Sequence, residues 1–192
     1  MRMITRRTFL NAIGAGAALP FTSRHGKAQT AMSRATAFAF TFKTLDGREL
    51  RLSEQTGRPV LVVNTASLCG YTPQYSGLET LWSRYRDPGL LVLGVPSNDF
   101  GGQEPGGSPE IHGTAHRHGV TFPLTEKVAV KGAAAHPFYR WAAVQRPGET
   151  PRWNFHKYLV ARDGTLAASF ASAIEPTDPR LVAAVERELP PA

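Results

Sequence analysis

A short apolar run that turns through a lone cysteine into a helix is the feature that most restricts this chain. Pro59 to Val63 is apolar and largely β-branched, the pattern of a strand covered on both faces. Asn64-Thr65-Ala66-Ser67-Leu68-Cys69-Gly70 follows. Thr72 is a candidate N-cap, and Pro73 suits the first helical position, where its missing N–H costs nothing. Leu78, Leu81, Trp82 and Tyr85 then fall on one face of an amphipathic helix. Cys69 is thereby placed just ahead of a helix N-terminus, where free N–H groups and the helix dipole favour a thiolate, the nucleophilic form. The bland alternative is an inert buried cysteine. Position alone leaves both open.

The rest of the domain reads outward from that stretch. Residues 37–53, with Asp46-Gly47 inside, predict a short hairpin. After the first helix, Asp87-Pro88-Gly89 breaks the chain and Leu90 to Pro96 is a second apolar strand. Strand, helix and strand make a βαβ unit, so the two strands are parallel and their carboxyl ends share one sheet edge. Open α/β sheets place their sites at that edge. Cys69 follows one end, and the Gly-rich segment 97–106 follows the other. Ser108-Pro109-Glu110 starts a helix that ends near Gly119, and Thr121 to Val130 is extended. Pro137 opens a helix through Gln145 with Phe138, Trp141 and Ala142 facing inward. Trp153 to Val160 and Thr165 to Phe170 flank a turn at Arg162-Asp163-Gly164. Thr177-Asp178-Pro179 caps a last helix with Leu181, Val182, Val185 and Leu189 on its buried face. This is an α/β domain with a central mixed sheet flanked by helices, and it resembles the thioredoxin fold. If the strand near Phe155 runs antiparallel to the central one, Trp153 and Asn154 come beside Cys69.

The amino-terminal segment reads as an address. Arg6-Arg7 precedes the uncharged stretch from Thr8 to Ser23, the order found in a bacterial twin-arginine export signal. Its apolar core, Phe9 to Phe21, is shorter than the roughly 20 residues a membrane span needs. Cleavage is expected after residue 28 or close to 31, with Gly26-Lys27-Ala28 and Gln29-Thr30-Ala31 as candidate sites. The expectation is therefore a signal over 1–28, a domain over 36–189, passage through the twin-arginine translocase and a periplasmic location. The first 28 residues hold five of the 22 basic residues and none of the 15 acidic ones, so the remainder carries about +2 instead of +7. The basic balance is no argument for nucleic-acid binding. A single cysteine in an exported protein is the case to flag as a reactive thiol, and it cannot close a disulfide within its own chain.

Three segments carry a resemblance to the glutathione peroxidase family. Asn64 to Tyr75 resembles the family's nucleophile segment, Asn98 to Gly106 its glutamine segment, and Trp153-Asn154-Phe155 its tryptophan–asparagine segment. Gly119-Val120-Thr121-Phe122-Pro123 matches a further block. The resemblance implies a catalytic set of Cys69, Gln103, Trp153 and Asn154, no cofactor and no metal, with a peroxide as substrate. The chemistry agrees: a thiolate attacks one peroxide oxygen, and indole and amide N–H groups stabilise the charge that develops. Attack leaves a sulfenic acid on Cys69 and releases water or an alcohol. Taken singly, Trp153 reads as a core aromatic, and Gln103 and Asn154 as ordinary loop polarity.

Departures from the family pattern shape the expectation. Asp99 stands where glutamine is usual, and Ser97 where many cysteine members have a second cysteine. Thr114 and Ala115 occupy the region of the resolving cysteine. The oxidised protein then needs an external thiol, glutathione or a thioredoxin-like protein. The short 145–152 segment points to a monomer or weak dimer and an open cleft for bulky hydroperoxides. His112, His116 and His118 are a metal candidate, yet no carboxylate or thiolate accompanies them and Gly113 loosens the helix, so a solvated face is the expected reading. The rival function is an exported redox sensor or relay that passes oxidation from Cys69 to a partner without turnover.

Overall fold

The computed structural model describes residues 34–191. The export signal expected over 1–28 and its cleavage site lie outside the described residues.

The central sheet has four strands, β3 (Val60–Thr65), β4 (Leu91–Pro96), β5 (Lys157–Val160) and β6 (Leu166–Phe170), in the order β4-β3-β5-β6. Strands β3 and β4 are parallel, with Thr65 opposite Pro96, as the βαβ reading requires. Strand β5 runs antiparallel to β3, with Val63 opposite Lys157, and β6 pairs antiparallel to β5. The carboxyl end of β3 therefore meets the start of β5. Every residue of β3 is buried, because its alternating side chains feed two cores. Leu61 and Val63 pack with α1 (Gln74–Tyr85), α2 (Ser108–Arg117) and α4 (Pro179–Glu188). Val60 and Val62 face α3 (Pro137–Gln145) and the small sheet formed by β1 (Thr41–Lys43) and β2 (Glu49–Arg51). Each such valine or leucine contributes about 1.5–3 kcal/mol through burial.

Several sequence expectations are trimmed. The hairpin is shorter than 37–53, since 3-10 turns occupy Ala37–Ala39 and Leu52–Gln55. Residues 121–130 form only isolated bridges, Gly94 with Leu124 and Thr44 with Thr125. Pro123 has no N–H with which to lengthen a ladder. At Gly94 any Cβ would lie 2.3 Å from Leu124 Cδ2, so the bridge needs glycine there. The last strand pair begins late, at Lys157 instead of Trp153, because Phe155 adopts a left-handed φ of 63°. Ser108 lies inside α2, whose N-cap is Gly107; Glu110 Oε2 accepts the Gly107 N–H at 2.9 Å. Asp178 caps α4 as expected, accepting the Arg180 N–H at 2.8 Å. No helix among the described residues is long and apolar enough to cross a membrane.

Candidate active site

Between β3 and α1 the chain makes a tight turn that Thr72 holds from inside. Its hydroxyl donates to the Ala66 carbonyl (2.8 Å) and accepts the Cys69 N–H (3.1 Å). Thr72 is thus occupied with the turn and does not cap the helix, which starts at Gln74 after Pro73. Its backbone N–H bonds back to the Cys69 carbonyl, and the Tyr71 N–H points at Cys69 Sγ at 3.4 Å. Cys69 is recessed, at 7% exposed, whereas Leu68 beside it is 67% exposed.

The Gly-rich segment after β4 closes on this turn. Gly101 and Gly102 both take φ of 65°, a pair of left-handed residues that side chains other than glycine adopt only with strain. The turn they allow brings the Gln103 carbonyl to the Leu68 N–H at 3.0 Å. Asp99, the departure from the family pattern, accepts the backbone N–H groups of Val130 (2.6 Å) and Lys131 (3.1 Å). It anchors a loop and leaves the reacting cleft to other residues. Ser97 is fully buried, and its hydroxyl accepts the Asp99 N–H at 3.4 Å.

The third segment arrives from β5. Asn64, fully buried at the end of β3, donates from Nδ2 to the Trp153 carbonyl at 3.1 Å and from its backbone to the His156 carbonyl. The Phe155 N–H in turn donates to the Asn64 carbonyl. Phe155 is fully buried edge-on to Tyr75, and packing holds its left-handed backbone at a cost of about 1–3 kcal/mol. That conformation reverses the chain so that Asn154 Nδ2 donates to Gln103 Oε1 at 2.9 Å. With its oxygen occupied, the Gln103 amide has its N–H₂ end left to donate. Trp153 is 40% exposed and lies against Phe100, ring centres 6.0 Å apart. Lys131 covers Phe100 at 4.7 Å.

The structure thus joins Gln103 directly to Asn154 and, through Leu68, to the turn that carries Cys69. Trp153 is tied in through Asn64 and Phe100. Among the described residues, Cys69 Sγ takes its hydrogen bond from Tyr71 and not from the Gln103, Trp153 or Asn154 side chains. Such bonds often tighten only when substrate arrives.

Two charged side chains that sequence reasoning missed flank the turn. Lys157 is fully buried and donates to Gln74 Oε1 and to the carbonyls of Ser172 and Ile174. Burial pulls its ammonium down to about 8, with Glu175 opposing. Glu104 is also fully buried, and burial pushes its carboxyl up. A lysine opening a buried strand was the available signal for the first; nothing in the segment 97–106 distinguishes the second. The three histidines do not converge. His112 and His116 stack at 6.2 Å, while His118 lies against Tyr75. No group of three or more His, Cys, Asp or Glu among the described residues is placed to hold a metal.

Comparison with known proteins finds relatives that span most of the described domain. The family profile described as Glutathione peroxidase matches residues 37–143. A protein of Synechocystis sp. named hydroperoxy fatty acid reductase gpx1 is 44% identical over 159 residues, which is 78% of this chain and 94% of that protein. The crystal structure of Trgpx in apo form superposes with a TM-score of 0.63 at 35% identity, covering 82% of this chain and all of that one. A thioredoxin family thiol:disulfide interchange protein from Chlorobium tepidum shares the fold at 13% identity, with a TM-score of 0.59 over 79% of this chain and 93% of its own. On the sequence match and the shared architecture, the chain belongs to the glutathione peroxidase family and is a peroxidase of thioredoxin-like fold.

Proposed function

We propose that this protein reduces organic hydroperoxides, fatty-acid hydroperoxides among them, through Cys69 and is recycled by an external thiol. The observation that carries the substrate class is the pair Leu68 and Trp153. They are the exposed large hydrophobic side chains among the described residues, and both belong to the site segments. Exposed apolar groups gathered at a reactive centre mark a surface for an apolar ligand. The name of the Synechocystis relative points to the same substrate.

In the reaction the Cys69 thiolate attacks one peroxide oxygen; an S–O bond forms and the O–O bond breaks. The leaving alkoxide takes up a proton, and sulfur is oxidised to the sulfenic acid. The Gln103 N–H₂ and the Trp153 indole N–H are donors for the charge on the departing oxygen, and Asn154 fixes the amide orientation. With no second cysteine in the chain, a first external thiol displaces water to form a mixed disulfide. A second thiol releases Cys69. On this reading the chain is a monomer or weak dimer, with the short segment after α3 held against β6 by Arg146, which binds the Leu166 and Ala167 carbonyls.

Stopped-flow mixing of reduced protein with linoleic acid hydroperoxide, cumene hydroperoxide and hydrogen peroxide tests the proposal, with Cys69→Ser as the blank. Oxidation many orders faster than a free thiol, fastest for the apolar peroxides, is expected. Turnover of hydrogen peroxide alone overturns the substrate class. A single oxidation that no small thiol reverses leaves the relay reading. Residues 1–28 are proposed as a twin-arginine signal that delivers the protein to the periplasm; replacing Arg6 and Arg7 with lysine should then trap it in the cytoplasm.

A further inference from the structure

The turn that carries Cys69 runs into α1, the arm that carries Trp153 and Asn154 runs into β5, and one buried cation joins the two elements. Lys157 opens β5 just after the reversal at Phe155 and lies opposite Val63 of β3. It has no solvent exposure. Its ammonium donates to Gln74 Oε1 at 2.5 Å, to the Ile174 carbonyl at 2.5 Å and to the Ser172 carbonyl at 3.3 Å. Gln74 is the first residue of α1 and is itself buried. Its amide is used at both ends, because Nε2 donates to the Ser172 carbonyl (2.8 Å) and to Glu175 Oε1 (3.2 Å). Lys157 thereby fixes which way the amide points, since an N–H₂ group has no acceptor to offer an ammonium.

From Gln74 the hydrogen bonds run back to the nucleophile. The Gln74 N–H donates to the Tyr71 carbonyl (2.9 Å) and the Tyr75 N–H to the Thr72 carbonyl (3.0 Å), while the Thr72 hydroxyl accepts the Cys69 N–H. In the other direction the chain leaving Lys157 passes His156 and Phe155, both bonded to the Asn64 backbone, and reaches Asn154, which holds Gln103 Oε1. Packing alone asks for no charge between these elements. An apolar side chain of similar length would fill the space without the cost of desolvating an ammonium. What the ammonium adds is direction: three donors aimed at acceptors on two other segments. We propose that Lys157 is a positioning residue for the peroxide step, setting through Gln74 where the Cys69 turn lies against the Asn154–Gln103 pair.

This rests on the peroxidase reading, and the experiment separates the two. Attack on a hydroperoxide needs the sulfur and the amide and indole donors in register, whereas alkylation by iodoacetamide needs only a reachable thiolate. Both rates are measured at pH 7 for reduced wild type, K157M, Q74L and the double variant, in buffer where circular dichroism shows each to be folded. K157M is expected to slow oxidation by cumene hydroperoxide about tenfold or more, with alkylation within about threefold of wild type. Q74L, which cuts the same tie from the α1 end, shifts the ratio of the two rates in the same direction. The double variant falls no more than about twofold below K157M, because the two residues act as one unit. Side-chain amide resonances of Gln103 and Asn154 report the contact without any peroxide, and K157M and Q74L both move them. Should K157M fail to fold, Q74L decides. The proposal is overturned if oxidation and alkylation fall in parallel in K157M, if Q74L keeps the wild-type ratio, or if the two losses add. If wild type itself does not react with hydroperoxide, the function fails, and the amide resonances alone decide whether Lys157 positions the pair.

Discussion

Lys157 and Glu104 lie on either side of the segment from Cys69 to Gln74 and solve burial in opposite ways. The lysine has an acceptor for each of its three N–H bonds and ties β5, α1 and the 172–175 loop together. Neither carboxyl oxygen of the glutamate has a hydrogen bond of ordinary geometry; nearby Ser67 and Lys127 favour its charged form, and burial outweighs them. A bonded buried cation behaves as a fixed brace, whereas a poorly paired buried acid is strained by its own charge and relieved by taking up a proton. Their linkages to folding also have opposite signs. The folded pKa of Lys157 is pulled below its unfolded value, so between about 8 and 10.5 the unfolded chain holds more protons and this residue makes stability rise with pH. The folded pKa of Glu104 is raised above 4.5, so its contribution is complete below that value and is lost as pH rises through the folded pKa.

The contrast is broken most directly at the lysine. Lys157→Met strands the Gln74, Ser172 and Ile174 acceptors and should cost about 3–5 kcal/mol in urea denaturation, with the rise in stability above pH 8 gone. Indifference to that change would remove the brace from the account. Next comes His156, a buried imidazole beside the Ser169 hydroxyl, which burial pulls down to about 4. Its folded pKa lies below the unfolded one, so stability present above pH 6.5 should drain by about 3 kcal/mol as pH falls to 4. A His156→Phe variant should show a flatter acid limb. Thr72→Val, which removes both hydroxyl bonds inside the Cys69 turn, should cost about 2 kcal/mol and slow Cys69 oxidation with it. The smallest effect belongs to Tyr75→Phe. Its hydroxyl reaches only Thr65, and without ordinary hydrogen-bond geometry, so a change within about 0.5 kcal/mol is expected. A loss near that of Thr72→Val would mean that the Tyr75–Thr65 contact is a full hydrogen bond.

The framework was readable because it rests on local pattern. The apolar run at 59–63, the helix face beginning at Leu78 and the breaker at 87–89 specify a βαβ unit without any knowledge of neighbours. The meeting of Gln103 with Asn154 followed from the antiparallel start of β5. What escaped depends on tertiary surroundings. No propensity places Phe155 at a positive φ, because only the core around Tyr75 makes that conformation affordable. Thr72 has the composition of a cap, and its actual partners, Ala66 and Cys69, are set by the turn's three-dimensional path. Glu104 looks like one more polar residue in a Gly-rich loop until burial removes its water.

The exposure of Leu68 and Trp153 beside a recessed sulfur bears on what quantity the enzyme responds to. A hydroperoxide carried on an acyl chain is concentrated in micelles and bilayers and scarce in free solution. If the protein acts on such a substrate, as proposed, exposed Leu68 and Trp153 are the apolar side chains with which it would touch that boundary. On that reading, turnover is expected to follow surface density in the lipid phase, and diluting the same hydroperoxide with inert lipid should slow the reaction at constant total amount.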